Sequence, residues 1–182
     1  MLGTFGCRPH DDKIGVLLAQ LGTPDEPTTP ALRRYLAEFL ADPRVIEVNR
    51  VLWWFLLNGI ILRTRPRRSA EAYRRVWTSE GSPLLVTSRA QQRGLQERLS
   101  TTYGSDAPMV VLGMRYGNPS LASALDQLQE AGCTRVILFP LYPQYAAATT
   151  GSTYDAVFQL LLKRRWVPTL SVIEPYYRHP AY

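Results

Sequence analysis

Four short apolar runs, at residues 14–19, 109–113, 135–139 and 169–173, have the length and composition of buried strands. Between them, apolar residues recur at helical spacing. Residues 30–41 carry Leu32, Tyr35, Leu36, Phe39 and Leu40 on one face, and Asp42-Pro43 ends the pattern. Residues 49–62 form a run that is apolar on every side. Residues 69–77 predict a further helix, with Ser69 as its N-cap. A long helix is expected over 84–103, with Leu85, Leu95 and Leu99 facing inward and Gly104 after its end. Residues 118–131 predict an amphipathic helix closed by Gly132, and 152–165 predict the last one. Strands that alternate with helices imply an α/β fold, a parallel sheet flanked by helices with right-handed crossovers. The stretch 42–83 is too long for one crossover helix and is expected to be an insertion. After Glu174 the chain reads as the onset of another helix.

Three unusual segments follow strand-like runs. They are Gln20-Leu-Gly-Thr-Pro-Asp-Glu-Pro27, Gly113-Met-Arg-Tyr-Gly117 and Pro140-Leu-Tyr-Pro-Gln-Tyr-Ala-Ala-Ala-Thr-Thr-Gly-Ser152. Loops at the carboxyl ends of parallel strands share one edge, where ligands bind. Their Gly, Pro and aromatic content suits a flat, largely apolar ligand with a few charged groups.

The 182 residues suffice for one sizeable domain, and 46% hydrophobic content supports a buried core. The net charge of +6 is carried almost entirely by Arg, with Lys13 and Lys163 the only lysines. Such a charge permits anionic partners without choosing among them. Cys7 and Cys133 form no CxxC pair and no metal spacing, which favours a reducing compartment. Residues 1–12 lack the apolar region of a cleavable leader, and no apolar stretch is long enough to span a membrane.

Each motif has a plainer alternative. Gly22-Thr-Pro-Asp-Glu-Pro27 could simply turn the chain into a helix. Arg115, just past a buried strand, must meet a ligand carboxylate or an internal Asp or Glu; both readings stand equal. Thr149-Thr-Gly-Ser152 could bind phosphate at a helix start, but an ordinary N-cap is favoured. No GxGxxG or Walker pattern occurs. The run Val51-Leu-Trp-Trp-Phe-Leu-Leu-Asn-Gly-Ile-Ile-Leu62 is bordered by Arg50, Arg63, Arg65, Arg67 and Arg68. It could be core, yet Trp beside Arg also marks a membrane interface, and the inserted position favours that reading. His10 and His179 lie apart from any carboxylate or Cys cluster, so neither is assigned a metal. The basic clusters read as solvated helix faces, and nothing supports nucleic-acid binding.

Taken together, six segments resemble the ferrochelatases. They are Gln20-Leu-Gly-Thr-Pro24, Tyr35-Leu-Ala-Glu-Phe-Leu-Ala-Asp-Pro-Arg-Val-Ile46, Arg65-Pro-x-x-Ser-Ala-Glu-x-Tyr73, Gly81-Ser-Pro-Leu-Leu85, Met114-Arg-Tyr-Gly-Asn-Pro-Ser120 and Pro140-Leu-Tyr-Pro-Gln-Tyr-x-x-x-Thr-Thr-Gly-Ser152. The likeness runs from about residue 14 onward and is nearest the proteobacterial form. It implies a flavodoxin-like, class II chelatase fold of two similar halves with a porphyrin between them. Residues 1–182 correspond to the first, N-terminal half, with 42–83 as the inserted lip.

The implied reaction is a lyase step in heme biosynthesis, insertion of the substrate Fe2+ into protoporphyrin IX. The family's catalytic His, in its Ser-x-His-Gly segment, and its metal-binding Glu belong to the second half. No catalytic or metal role therefore falls on this chain, and His179 does not inherit one. The resemblance carries porphyrin contacts onto Leu21, Arg65 (with Arg68 as the neighbouring alternative), Tyr73, Ser82, Arg115 and Tyr116. It carries membrane-lip contacts onto Trp53, Trp54, Phe55 and Leu56. Gln20 and Ala146 depart from the common Asn and Ser of these motifs, without consequence for the reaction.

Two separated cysteines cannot hold an iron–sulfur cluster within this chain, and no bound cofactor is expected. The implied partners are the porphyrin, the second half of the enzyme and a peripheral membrane contact, in a cytoplasmic setting at the inner face of the membrane. Two other functions stay open: a non-catalytic porphyrin- or heme-binding module, and a flavodoxin-like phosphate or flavin binder.

Overall fold

The computed structural model describes residues 13–182. Strands β1 (Ile14–Thr23), β2 (Met109–Gly117), β3 (Arg135–Pro140) and β4 (Thr169–Val172) form one parallel sheet in the order β2-β1-β3-β4. β1 is central and flanked on both sides, which is why Leu17, Leu18 and Ala19 can be apolar in succession: alternate side chains meet opposite layers. On one face Leu17, Ala19, Val111, Val136 and Leu138 meet helices α5 (Leu121–Glu130) and α6 (Ser152–Leu162). On the other, Val16, Leu18, Val110, Leu112 and Met114 lie under α4 (Pro83–Tyr103), which contributes Leu85, Leu95 and Leu99 as its spacing predicts.

Both strands that lead to the candidate edge run further than their apolar runs suggest. Pairing continues through Gln20↔Met114, Gly22↔Tyr116 and Thr23↔Gly117, so two of the three expected loops are strand ends. Glycine makes this possible. Gly22 (φ 115°) and Gly117 (φ 80°) sit where L side chains are strained, and a Cβ at Gly22 would lie 1.8 Å from the Tyr116 carbonyl oxygen.

The insertion is helical from Arg50 to Val76. Helix α1 (Thr29–Ala41), capped by Thr28, precedes it. Asn49 then caps α2 (Arg50–Leu56), its side chain accepting from the N–H groups of Val51 and Leu52. A π-turn over Leu57–Ile61 leads directly into α3 (Leu62–Val76). The expected gap between residues 62 and 69 is therefore absent, and Ser69 lies inside α3 rather than at its start. Pro66 removes one helical N–H, but Leu62, Pro66 and Ala70 form a buried i, i+4, i+8 stripe on the α3 side that packs α1. That packing outweighs the lost bond. Helix α6 ends at Leu162, three residues before the expected limit.

Two substitutions check this account. Gly22→Ala should cost at least about 2 kcal/mol, since strain alone is of order 1–3 kcal/mol and a backbone clash adds to it. Gly94→Ala, in the open middle of α4 with no atom within 4 Å of the new Cβ, should instead gain about 0.5–1 kcal/mol. Urea denaturation of the two variants measures both.

Candidate functional site

The carboxyl edge of the sheet is organised around one carboxylate. Asp42 follows α1 at its C-terminal end, and its side chain is only 3% exposed. Its Oδ2 accepts from Arg115 Nη2 at 2.6 Å, from the Tyr116 hydroxyl at 2.7 Å and from Ser152 Oγ at 2.5 Å. Its Oδ1 accepts from the Arg44 backbone N–H at 2.7 Å. Arg115 Nε in turn donates to the Ser152 carbonyl at 3.0 Å and to its hydroxyl at 2.7 Å. The guanidinium lies 4.4 Å from the centre of the Tyr116 ring. One buried cluster thus joins the start of the insertion, the end of β2 and the start of α6.

Burial alone would push the Asp42 carboxyl up. Hydrogen bonds from Ser152, Tyr116 and the Arg44 backbone, with the charge of Arg115, hold it below its ordinary value instead. Burial raises the Tyr116 phenol to about 12. Burial, with the neighbouring Tyr73 phenol, also drives Tyr35 well above its ordinary value.

An aromatic and aliphatic layer lies against this cluster. Leu21 and Tyr73, both half-buried, pack with Tyr35, Leu36, Phe39, Tyr116 and Trp53. The Tyr35 hydroxyl donates to the Gly22 carbonyl at 3.3 Å, and Phe39 meets Tyr116 edge-on at 5.1 Å. Further bonds fasten the insertion to the sheet domain. Arg44 forms a two-point ion pair with Asp155 at 2.7 and 3.1 Å, Arg74 Nε donates to the Pro27 carbonyl at 3.2 Å, and Trp53 Nε1 donates to the Leu40 carbonyl at 2.7 Å.

The structure brings Leu21, Tyr73 and Tyr116 together but treats the expected site residues unequally. Of the two alternatives for Arg115, the internal partner is the one found. Tyr116 is fully buried, so its ring supports the edge from behind instead of facing a ligand. Ser82 is 2% exposed and caps α4, its Oγ accepting from the Leu85 N–H at 3.2 Å. Arg65 and Arg68 are exposed on α3 and form no ion pair among the described residues. Trp53 is half-buried, whereas Trp54, Phe55 and Leu56 are exposed together with Val51, Leu52 and Ile60. The apolar rim therefore excludes Trp53. No helix among the described residues is long and apolar enough to cross a membrane. Cys7 and His10 lie outside the described residues.

Sequence reasoning missed Asp42 and Ser152 as members of the site. One signal was available for Asp42. An acidic residue at a helix C-terminus opposes the helix dipole, so its presence after α1 implies compensation from elsewhere.

Removing either side of the buried pair should be costly. Arg115→Ala and Asp42→Asn are each expected to lose about 3–5 kcal/mol at pH 7, the usual result of leaving one partner unmatched. The pH dependence has a defined sign. Asp42 titrates lower folded than unfolded, so its stabilisation is complete above the unfolded value of about 3.9 and is lost as pH falls through the folded value. Urea midpoints of wild type and Asp42→Asn should accordingly differ most near neutral pH and converge below about pH 4. An unchanged gap on acidification would contradict the assignment.

The chain is 55% identical over 170 residues to the ferrochelatase of Alcanivorax borkumensis, covering 93% of this chain and 50% of that protein. It is 52% identical over 171 residues to that of Marinobacter nauticus (94% and 46%) and 54% identical over 169 residues to that of Thioalkalivibrio sulfidiphilus (93% and 46%). The chain thus spans about half the length of the curated relatives it matches. The ferrochelatase family model matches residues 13–182, every residue of the sheet, the inserted helices and the Asp42 cluster included, and the chain belongs to the ferrochelatase family.

Proposed function

We propose that this chain supplies one wall of the cleft in which a ferrochelatase inserts its substrate Fe2+ into protoporphyrin, to form protoheme. The observation that carries this reading is identity of 52–55% to ferrochelatases across 93–94% of the chain. Leu21 at the end of β1 and Tyr73 on α3, both packed against one apolar cluster, are the residues we assign to the face of the macrocycle. Arg65, exposed on α3, is assigned to a propionate, with Arg68 one turn away as the alternative. Ser82, Arg115 and Tyr116 act behind the wall, fixing the helix and strand ends that carry it.

The chemistry asks for two things from the protein. A rigid macrocycle must be bent so that its nitrogens face the incoming ion, and two N–H protons must leave. A wall held by buried hydrogen bonds suits the first task, because it yields little when the porphyrin presses on it. The second task finds no candidate here. Asp42 is held ionised but is fully engaged by four donors, and the bonds that lower its carboxyl make it a poor proton acceptor. The Tyr35 and Tyr116 phenols stay protonated, since burial raises both. Proton acceptance is therefore assigned to the half of the relatives that this chain does not cover, where the family's Ser-x-His-Gly segment belongs.

The exposed rim of Val51, Leu52, Trp54, Phe55 and Ile60, next to Arg63, Arg65, Arg67 and Arg68, suits shallow contact with an anionic bilayer. We assign the protein a peripheral position at the cytoplasmic face of the membrane on that ground.

Two measurements test these readings. In an anaerobic assay that follows loss of porphyrin fluorescence with ferrous iron or zinc, residues 1–182 alone should show no turnover above a protein-free blank. Adding the separately produced second half of the Alcanivorax borkumensis protein should restore it. Turnover by residues 1–182 alone would place the proton acceptor in this chain and overturn the assignment. For the rim, flotation with anionic liposomes should recover the wild type and lose Trp54→Ser/Phe55→Ser. Equal recovery of both would count against membrane contact.

A further inference from the structure

The two faces of the sheet are covered unequally. Helix α4 packs on β1 and β2, and beneath it Val16, Leu18, Val110, Leu112 and Met114 are only 1–6% exposed. The same face continues across β3 and β4 without a helix among the described residues. There Ile137 and Phe139 are only half-buried, and Thr169, Ser171 and Ile173 are exposed. The register fixes this placement. Ile137 stands opposite Ser171, and the Ile173 N–H donates to the Leu138 carbonyl at 2.9 Å, which brings Ile173 beside Phe139. On the opposite face Val136 and Leu138 are buried under α6, so the deficit is one-sided.

Parallel sheets in α/β folds are covered on both faces. Two strands span about 10 Å, roughly the diameter of one helix. The strip holds place for one helix, and small Thr169 and Ser171 on β4 allow it to approach closely. The chain itself points there. After β4, the Tyr177 N–H donates to the Pro143 carbonyl at 3.2 Å and the Tyr176 ring meets Phe139 edge-on at 5.5 Å, on this same face. The relatives are about twice as long as the span matched here.

We propose that the strip formed by Ile137, Phe139, Ser171 and Ile173 seats one amphipathic helix supplied by the half of a full-length ferrochelatase that this chain does not cover. The proposal rests on the two-half reading above and adds where the second half grips the first. The helix lies over β3 and β4 beside α4, with its apolar stripe on Ile137, Phe139 and Ile173. Second-half binding then completes the sheet's cover as well as the cleft.

The test measures the affinity of labelled second half from the Alcanivorax borkumensis protein for residues 1–182 by fluorescence anisotropy. Ser171→Arg and Ile173→Arg place a long cation on the strip at exposed positions, so urea midpoints should stay near wild type. Leu162→Arg, on α6 of the opposite face at an 85% exposed position, is the control. Ser171→Arg and Ile173→Arg should each weaken binding at least about tenfold, as expected at the centre of an apolar contact. Leu162→Arg should stay within about twofold. Wild-type affinity in Ser171→Arg and Ile173→Arg, with turnover restored, would overturn the strip and leave the two-half reading intact. Loss of binding in Leu162→Arg alone would move the contact to the other face and overturn it. So would self-association of residues 1–182 that Ser171→Arg abolishes and the second half does not displace. Failure of the second half to bind at all would overturn the strip and the two-half reading together.

Discussion

A single buried carboxylate holds this structure's functional edge in place. Asp42 sits at the negative end of α1 with almost no contact with water, an arrangement that helix electrostatics and desolvation both oppose. Four donors, one of them a guanidinium, reverse the balance. They come from residues 44, 115, 116 and 152, so satisfying one charge requires three distant chain segments to meet at one point. The insertion is anchored to the sheet at the place where it leaves α1. Apolar contact between α1 and α3, together with the Arg44–Asp155 pair, extends that anchorage along the insertion.

This arrangement separates rigidity from reactivity. The groups with the strongest interactions, Asp42, Arg115, Tyr116 and Ser152, lie behind the surface and are used up on one another. Leu21 and Tyr73, which lie nearer the surface, have little chemistry of their own. A wall of this kind can resist a ligand and can shape it, but it cannot take protons from it. The division agrees with the proposed two-sided site, in which strain and proton transfer would come from different halves. The strip over β3 and β4 that no described helix covers belongs to the same logic, since a sheet face covered only in part calls for a further layer.

Much of the fold was legible from local pattern. The apolar runs located all four strands, and helical spacing placed Leu85, Leu95 and Leu99 correctly beneath α4. Strand ends were harder, because Gly22 and Gly117 look like turn residues until the close pairing that demands them is known. The continuous helix through Pro66 was hidden for a related reason. Local propensity breaks the chain there, and only packing against α1 restores it. Least legible were the site's interior partners. Arg115 was recognisable as a residue in need of a partner, but the partner stands 73 positions away, and Asp42 meets Ser152 across 110. Spacing along the chain carries no information about such a meeting. Motif resemblance marked Leu21 and Tyr116 alike, yet it could not distinguish Leu21, half-buried at the edge, from Tyr116, sealed behind it.

The central claim is that the Asp42 cluster fastens the inserted helices to the sheet. Native-state amide hydrogen exchange, compared between wild type and Asp42→Asn under conditions where both are folded, tests it most directly. The account predicts that the variant loses more protection across residues 50–76 than in the amides of β1, β2 and β3, which fall only with the global stability. Equal acceleration in the strands and the inserted helices, or unchanged protection over residues 50–76, would contradict it.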